Sequence, residues 1–155
     1  MMATNTGTAT PHSDDFTTDD PLNLLIIEDE ALVAMLVEDA LTLHGHRVIG
    51  IADTVASALT LADQEQPDLV LCDVKLADGD SGLTAAQLLA DRGIPCVFLS
   101  GNCPERGGHP LVIGCIAKPF RAGTLGAAVR AAYQAAKGER PRTSPPALRF
   151  YHEAR

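Results

Sequence analysis

Five short apolar runs recur along the chain and constrain its fold more than any other feature. Four of them are followed by a segment with apolar residues at helical spacing. Continuous apolar strands linked by helices are typical of a parallel sheet covered on both faces, because right-handed crossovers place the helices there. The sequence therefore predicts an α/β domain with a five-stranded parallel sheet, whose strands are "LNLLII", "RVIGIA", "DLVLCD", "PCVFLS" and "VIGCIA".

The strand and helix pattern occupies the middle of the chain. Residues 1–21 consist mainly of Thr, Asp, Ser and Pro with few apolar anchors, which predicts a disordered arm. Residues 22–137 carry the pattern and form the predicted domain. Residues 138–155 contain three prolines and lose the pattern, which predicts a C-terminal tail. We expect no output domain beyond residue 138, because so few residues remain.

The composition argues against several classes of function. A formal net charge of −8 gives no electrostatic reason to bind nucleic acid or an anionic membrane. No apolar run reaches the length of a membrane span, and the first residues lack the basic and apolar regions of a signal peptide. We therefore expect a cytoplasmic protein that binds neither nucleic acid nor membrane.

The cysteines and histidines show no spacing typical of a metal or redox site. The four cysteines are Cys72, Cys96, Cys103 and Cys115. No two of them form a C-x-x-C pair, and three lie in apolar runs, which favours thiols buried in the core. The histidines have no ligand spacing, and we expect them in loops; they are His12, His44, His46, His109 and His152.

The segment between the fourth and fifth strands, "GNCPERGGHPLV", is poor in helix-forming residues. Pro104 and Pro110 lack the backbone donor, and Gly107 and Gly108 each cost about 1 kcal/mol in a helix interior relative to alanine. The sequence predicts that a helix here is short, irregular or absent.

Polar residues stand where four of the strands end. Glu28 and Asp29 follow the first strand, Asp73 ends the third, Ser100 ends the fourth and Lys118 follows the fifth. In an open parallel sheet, ligands bind at the carboxyl ends of the strands. Carboxylates brought together there repel each other unless a cation lies among them, and an all-oxygen cluster suits Mg²⁺. A carboxylate beside Mg²⁺ and a lysine can attack a phosphoryl donor in line.

These motifs resemble the receiver domain of two-component response regulators. The resemblance covers roughly residues 22–137 and rests on "LLIIEDE", "DLVLCDVKLADGDSGL", "VFLSG" and "IAKPF", which stand in the family's order and on the corresponding strand ends. It implies a flavodoxin-like fold and a signalling protein that accepts a phosphoryl group, rather than an enzyme acting on a separate substrate.

The resemblance also implies a role for each residue of the site. Asp73 would be the phosphoacceptor. Asp29 and Asp73 would bind Mg²⁺ directly, Glu28 would assist through water, and the main-chain carbonyl of Lys75 would complete the protein ligands. On activation, Ser100 would bind the phosphoryl group and Lys118 would pair with it.

One departure from the family pattern concerns the switch residue. The family usually carries an aromatic residue on the fifth strand, three positions before the lysine, where this chain has Cys115. A rotating aromatic on that strand cannot relay the signal here. We expect phosphorylation to reorder the loop 101–112 instead.

The implied partners are a sensor histidine kinase and a downstream protein. With the switch aromatic missing, the chain is similar to single-domain regulators of alphaproteobacterial type, which are often paired with HWE-type or related kinases. Its output would pass through protein contacts or phosphate relay.

The sequence alone leaves simpler interpretations of single residues and two other functions open. Asp29 and Glu30 could merely charge the first turn of a helix. Ser100 could be a loop hydroxyl, and Lys118 could be an ordinary exposed lysine. A static pseudo-receiver scaffold would resemble this chain but usually lacks an acidic or lysine site residue. A phosphohydrolase of the haloacid dehalogenase type needs an acid two residues after the nucleophile, where this chain has Lys75.

Overall fold

The structure, a computed structural model, describes residues 20–76, 79–141 and 145–151. Strands and helices alternate along most of this range. In chain order they are β1 (Asn23–Ile27), α1 (Ala31–Leu43), β2 (Arg47–Ala52), α2 (Val55–Glu65), β3 (Leu69–Asp73), α3 (Gly82–Asp91), β4 (Cys96–Ser100), β5 (Val112–Ala117), α4 (Ala122–Ala136) and β6 (Leu148–Phe150).

The strands form one sheet in the order β2-β1-β3-β4-β5-β6. The first five strands are parallel, as predicted. The strand order reverses at β1, because the chain leaves β1 for one edge of the sheet and crosses back to β3 on its other side. This arrangement is the flavodoxin-like fold, and ligands bind at its β1/β3 switch point. The predicted fold class is therefore confirmed.

The helices cover both faces of the sheet and create two apolar cores. On one face, α1 and α4 pack over buried residues such as Leu24, Leu71 and Ile116. On the other face, α2 and α3 pack over Leu25, Phe98 and their neighbours. Thr54 caps α2 as a capping box. Within the described residues, no helix is long and apolar enough to span a membrane.

The expected irregularity between β4 and β5 is confirmed. Residues 101–111 contain no helix and consist of bends and a turn. The sheet face beneath this segment is covered instead by partly buried side chains of the loop and of the C-terminal segment, namely Cys103, Leu111 and Tyr151. We call residues 101–111 the β4–β5 loop.

The sheet has a sixth strand, which the sequence pattern does not predict. β6 lies in the segment expected to be a tail and pairs antiparallel with β5, so that Cys115 is opposite Arg149. The count of five strands was therefore wrong by one edge strand. Most of the arm expected at 1–21 lies outside the described residues; Leu22 is already buried in the core.

The expectation for the cysteines was partly wrong, and one histidine is buried. Cys72 and Cys96 are buried thiols, as expected, whereas Cys103 and Cys115 form a disulfide. His46 lies in the loop between α1 and β2, as expected, but it is buried, and its Nδ1 accepts a hydrogen bond from the amide of Leu22. Burial lowers the pKa of His46 to about 4. His12 and His152 lie outside the described residues.

Candidate functional site

Three carboxylates meet at the switch point of the sheet. β1 and β3 are neighbours with Ile27 opposite Cys72, so their carboxyl ends lie side by side. Glu28 and Asp29 follow β1, and Asp73 is the last residue of β3. One oxygen from each of the three carboxylates lies within 4.8 Å of the others. The strands thus deliver the acidic residues to one point, as the sequence predicted.

Lys118 is the cation that contacts this cluster. It follows β5, and its Nζ lies 3.3 Å from Glu28 Oε1 and 3.4 Å from Asp73 Oδ2. The Glu28 side chain is 2% exposed, that of Asp73 13% and that of Lys118 24%. Lys118 is therefore not an ordinary exposed lysine, and its ammonium is held between two largely buried carboxylates.

The crowding of charge shifts the protonation of Glu28. Burial, with a smaller contribution from the carboxylate of Asp73, raises the pKa of Glu28 to about 7. The amide of Glu30, which donates to Glu28 Oε2, and the ammonium of Lys118 act in the opposite direction. Near neutral pH, Glu28 is therefore poised between its protonated and ionised forms in the metal-free protein.

Ser100 and Lys75 lie beside the cluster. Ser100 is buried at the end of β4, and its Oγ accepts a hydrogen bond from the amide of Asn102. Its carbonyl accepts from the amide of Lys118, which ties the ends of β4 and β5 together. Lys75 has an exposed side chain, and its amide donates to Asp73 Oδ1 at 3.3 Å. Glu30, the N-cap residue of α1, makes no side-chain capping hydrogen bond.

Gly82 belongs to the site but is not among the residues predicted from the sequence. It begins α3, and its amide donates to the carbonyl of Val74. A Cβ atom built on Gly82 would lie 1.8 Å from the carbonyl oxygen of Asp73. The helix can pack against the backbone of Asp73 only because residue 82 has no side chain. The signal was present in the sequence, since this glycine ends the "DGDSG" stretch after Asp73.

The donor set at the cluster fits a small, hard divalent cation. All the side-chain donors are carboxylate oxygens, which Mg²⁺ prefers over nitrogen or sulfur. Two of the carboxylates are largely buried and partly balanced by Lys118, so a divalent cation would relieve their repulsion. Few protein oxygens are offered, which leaves room for water and for a phosphoryl group.

Covalent and aromatic contacts join the β4–β5 loop to its surroundings. Cys115 occupies the position three residues before Lys118 and is bonded to Cys103, which lies three residues after Ser100. Tyr151, which follows β6, stacks edge-on against Phe98 with ring centroids 6.2 Å apart. Its hydroxyl donates to the carbonyl of Pro104 at 2.7 Å. An aromatic ring from the C-terminal segment therefore packs against Phe98, which is paired with Cys115 in the sheet.

The fold and this cluster define a class of protein. The chain belongs to the response regulator receiver domain family, which it matches over residues 24–130. Response regulators act in two-component signalling, and their receiver domains are phosphoacceptor domains that bind Mg²⁺ in an acidic pocket.

Regulators of several bacteria are similar to this chain. It is 41% identical to the phyllosphere-induced regulator PhyR of Methylorubrum extorquens, over 68% of this chain and 41% of that protein. It is 33% identical to the transcriptional regulatory protein PdtaR of Mycobacterium tuberculosis, over 64% of this chain and 51% of that protein. The chain thus spans about half the length of these two relatives.

Solved receiver domains have the same fold. The crystal structure of the response regulator PhyR from Brucella abortus matches with a TM-score of 0.60 and 33% identity, over 74% of this chain and 47% of that chain. The solution structure of the Erythrobacter litoralis PhyR receiver domain matches with a TM-score of 0.59 and 32% identity, over 80% of this chain and 95% of that domain.

Proposed function

We propose that this chain is a phosphorylatable signalling switch, in which Asp73 accepts a phosphoryl group from a histidine kinase in a Mg²⁺-dependent reaction. The observation that supports this most strongly is the placement of Lys118 Nζ 3.4 Å from Asp73 Oδ2, beside three carboxylates that can hold a cation. Asp29 and Asp73 would hold Mg²⁺ directly, Glu28 would assist through water, and the carbonyl of Lys75 would complete the protein ligands.

The transfer step uses the groups of this site, Mg²⁺ and a phosphohistidine. A carboxylate oxygen of Asp73 attacks the phosphorus in line, the new P–O bond forms as the P–N bond breaks, and the leaving imidazole nitrogen keeps the electron pair. When bound, Mg²⁺ neutralises charge on the transferred oxygens. Lys118 then pairs with the phosphoryl group of the acyl phosphate, and the hydroxyl of Ser100 donates a hydrogen bond to it. Hydrolysis by water returns Asp73 to its free form.

An exposed apolar surface beside the site supports a protein as the phosphodonor. Three adjoining residues on one face of α1, which begins two positions after Asp29, are between 53% and 68% exposed; they are Leu32, Met35 and Leu36. Contiguous exposed apolar surface is typical of protein interaction sites. We propose that a histidine kinase, of the HWE type or a related one, docks here and presents its phosphohistidine to Asp73.

We further propose that the output passes through protein contacts or phosphate relay in the cytoplasm. The net charge of −8 disfavours nucleic acid and anionic membranes as partners of this chain. The downstream partner would therefore be a protein that distinguishes the phosphorylated from the free form.

Two alternatives remain for comparison. A pseudo-receiver scaffold would share the fold without accepting phosphate, and the complete set of acidic and lysine residues at the site argues against it. A phosphohydrolase with an aspartyl nucleophile would need an acid two residues after Asp73, and Lys75 stands there.

Incubation with acetyl phosphate separates the three functions. Intact-mass spectrometry should show the addition of one phosphoryl group with Mg²⁺ present and none with a chelator in place of Mg²⁺. A scaffold would show no addition under either condition. A phosphohydrolase would release phosphate catalytically from a range of monoesters, whereas the switch should leave these esters intact.

A further inference from the structure

The one disulfide among the described residues lies between two elements that carry the site. Cys103 is three residues after Ser100 and Cys115 is three residues before Lys118, with Cα atoms 5.9 Å apart. The bond therefore ties the start of the β4–β5 loop to the strand that delivers the lysine. The Sγ of Cys103 also lies 3.9 Å from the carbonyl oxygen of Ser100.

The loop has little regular structure of its own to hold it in place. It contains no helix. Its far end is held by the packing of Leu111 and by His109, whose Nε2 lies 3.1 Å from Asp91 Oδ1 of α3, whereas the half next to Ser100 is tied by the disulfide and by the C-terminal segment. Tyr151 donates to the carbonyl of Pro104, and the guanidinium of Arg149 donates to the carbonyl of Glu105 at 3.3 Å. A covalent bond is stronger than either contact. The disulfide is therefore the strongest restraint on movement of the segment next to Ser100.

The two sulfurs of the disulfide differ in access. Cys115 is fully buried in β5, whereas Cys103 is partly exposed in the loop. Cys72 and Cys96 are also fully buried. Burial raises the pKa of both thiols, so neither readily forms the thiolate that disulfide exchange requires. Exchange with an external thiol can therefore begin only at the Sγ of Cys103.

We propose that Cys103 and Cys115 form a reversible redox site, and that a protein or small-molecule dithiol reduces their disulfide and so releases the β4–β5 loop. A thiolate of the dithiol attacks Cys103 Sγ, forming a mixed disulfide as the bond to Cys115 breaks, and Cys115 leaves as a thiolate and takes up a proton. The second thiol of the reductant then attacks the reductant's sulfur in the mixed disulfide. Cys103 leaves as a thiolate and takes up a proton. The chain gains two electrons and two protons, and the dithiol is oxidised to its disulfide.

The consequence of this chemistry for signalling rests on the function proposed above. In the oxidised form, the loop next to Ser100 is covalently held, so phosphorylation of Asp73 cannot rearrange it. In the reduced form, the loop is released and can follow the hydroxyl of Ser100 toward the phosphoryl group. Disulfides in the cytoplasm, where we propose that the chain works, are usually transient and redox-sensing. The pair would make the response to phosphorylation depend on the thiol redox state.

The test begins with the thiols and does not depend on phosphorylation. The protein is treated with a disulfide oxidant or with dithiothreitol, denatured, alkylated and analysed by mass. We expect two alkylated cysteines after oxidation and four after reduction, interconverting without loss of the folded state. Cys103→Ser should yield three alkylated cysteines in both conditions. Four reactive thiols in the oxidised sample, or a disulfide that dithiothreitol does not reduce in the native protein, would overturn the redox site.

Hydrogen exchange then tests the effect on the loop. Amides of residues 101–111 should exchange about tenfold or more faster in the reduced protein and in Cys103→Ser than in the oxidised protein. Beryllofluoride, a phosphoryl mimic, should alter this exchange in the reduced form only. Equal exchange in both redox states would overturn the role of the disulfide in the loop. If beryllofluoride affects no residue in either state, the proposed phosphorylation function is wrong. The number of alkylated thiols and the hydrogen exchange measured without the mimic still test the redox site independently.

Discussion

Lys118 Nζ lies 3.4 Å from Asp73 Oδ2, although the two residues extend from strands that are not neighbours. Asp73 ends β3 and Lys118 follows β5, and β4 lies between these strands in the sheet. The contact therefore forms only when three parallel strands assemble in the correct order. It places a positive charge beside the carboxylate that we propose as the phosphoacceptor.

Replacing Lys118 should impair phosphorylation of Asp73. Removing one positively charged group that stabilises a transferred oxyanion typically costs about a hundredfold in rate, and we expect that loss for Lys118→Ala with acetyl phosphate as donor. The pKa of Glu28 should rise above about 7, because the ammonium that lowers it is gone. Intact-mass kinetics and NMR titration measure the two effects. Lys75→Ala is the matched control, since the Lys75 side chain is exposed and only its carbonyl is assigned a role. An equal loss in both variants would contradict a specific role for Lys118.

Magnesium affinity should depend on pH through Glu28. Because burial raises the pKa of Glu28 to about 7, a proton competes with the ion below that pH. We expect the affinity to rise by up to about tenfold per pH unit between about pH 5 and about pH 7, and then to level off. Calorimetric titration across this range is the measurement, and Glu28→Gln should flatten the dependence.

The same pKa shift sets the sign of the effect on stability without metal. The raised pKa means that the folded protein binds the proton more tightly than the unfolded chain does. The contribution of Glu28 to stability is therefore present below its usual pKa of 4.5 and is lost as the pH rises through about 7. A stability contribution from Glu28 that increases over this range would contradict the assignment.

Gly82→Ala should distort the site even though alanine favours helices. The added Cβ would meet the carbonyl oxygen of Asp73 at 1.8 Å, so α3 or the end of β3 must shift. We expect a loss of about 2–3 kcal/mol in the free energy of unfolding and weaker binding of Mg²⁺. Gly123→Ala is the matched control, because a Cβ there meets no atom within 4 Å near the start of α4. That variant should gain roughly 0.5–1 kcal/mol. Urea unfolding compares the two, and an unaffected Gly82→Ala would show that the close approach is not maintained.

Truncating Tyr151 should loosen the β4–β5 loop. Tyr151→Ala removes the edge contact with Phe98 and the hydrogen bond to Pro104, which we expect to cost about 1–3 kcal/mol in stability. Tyr151→Phe keeps the ring and should lose only about 1 kcal/mol, the contribution of one hydrogen bond. Urea unfolding and hydrogen exchange of residues 101–111 are the measurements. A Tyr151→Ala variant with wild-type stability and loop exchange would mean that β6 does not pack against this face in solution.

The sequence predicted what depends on local pattern. Apolar runs with polar ends were sufficient to place Glu28, Asp29, Asp73 and Lys118 at one edge of the sheet, because parallel strands align their carboxyl ends. The absence of a helix after β4 followed from the prolines and glycines of that segment. These features need no knowledge of distant contacts.

The features that the sequence did not predict depend on long-range contacts. β6 is three residues long and follows two prolines, so its pairing with β5 leaves no local pattern. The disulfide joins residues with a sequence separation of 12, and only the fold brings the loop back over β5. His46 becomes buried because the start of β1 packs beside it, which its own neighbours in the sequence do not indicate.

Localising the phosphoryl group tests the central claim most directly. Wild-type protein, Asp73→Asn and the exposed control Asp39→Asn are incubated with acetyl phosphate and Mg²⁺, and their intact masses and peptide fragments are compared. We predict one phosphoryl group on the wild type and on Asp39→Asn, located on Asp73, and none on Asp73→Asn, because an amide is a poor nucleophile and a weak ligand for Mg²⁺. Labelling of Asp73→Asn to the wild-type level, or a phosphoryl group located on another residue of the wild type, would contradict the account.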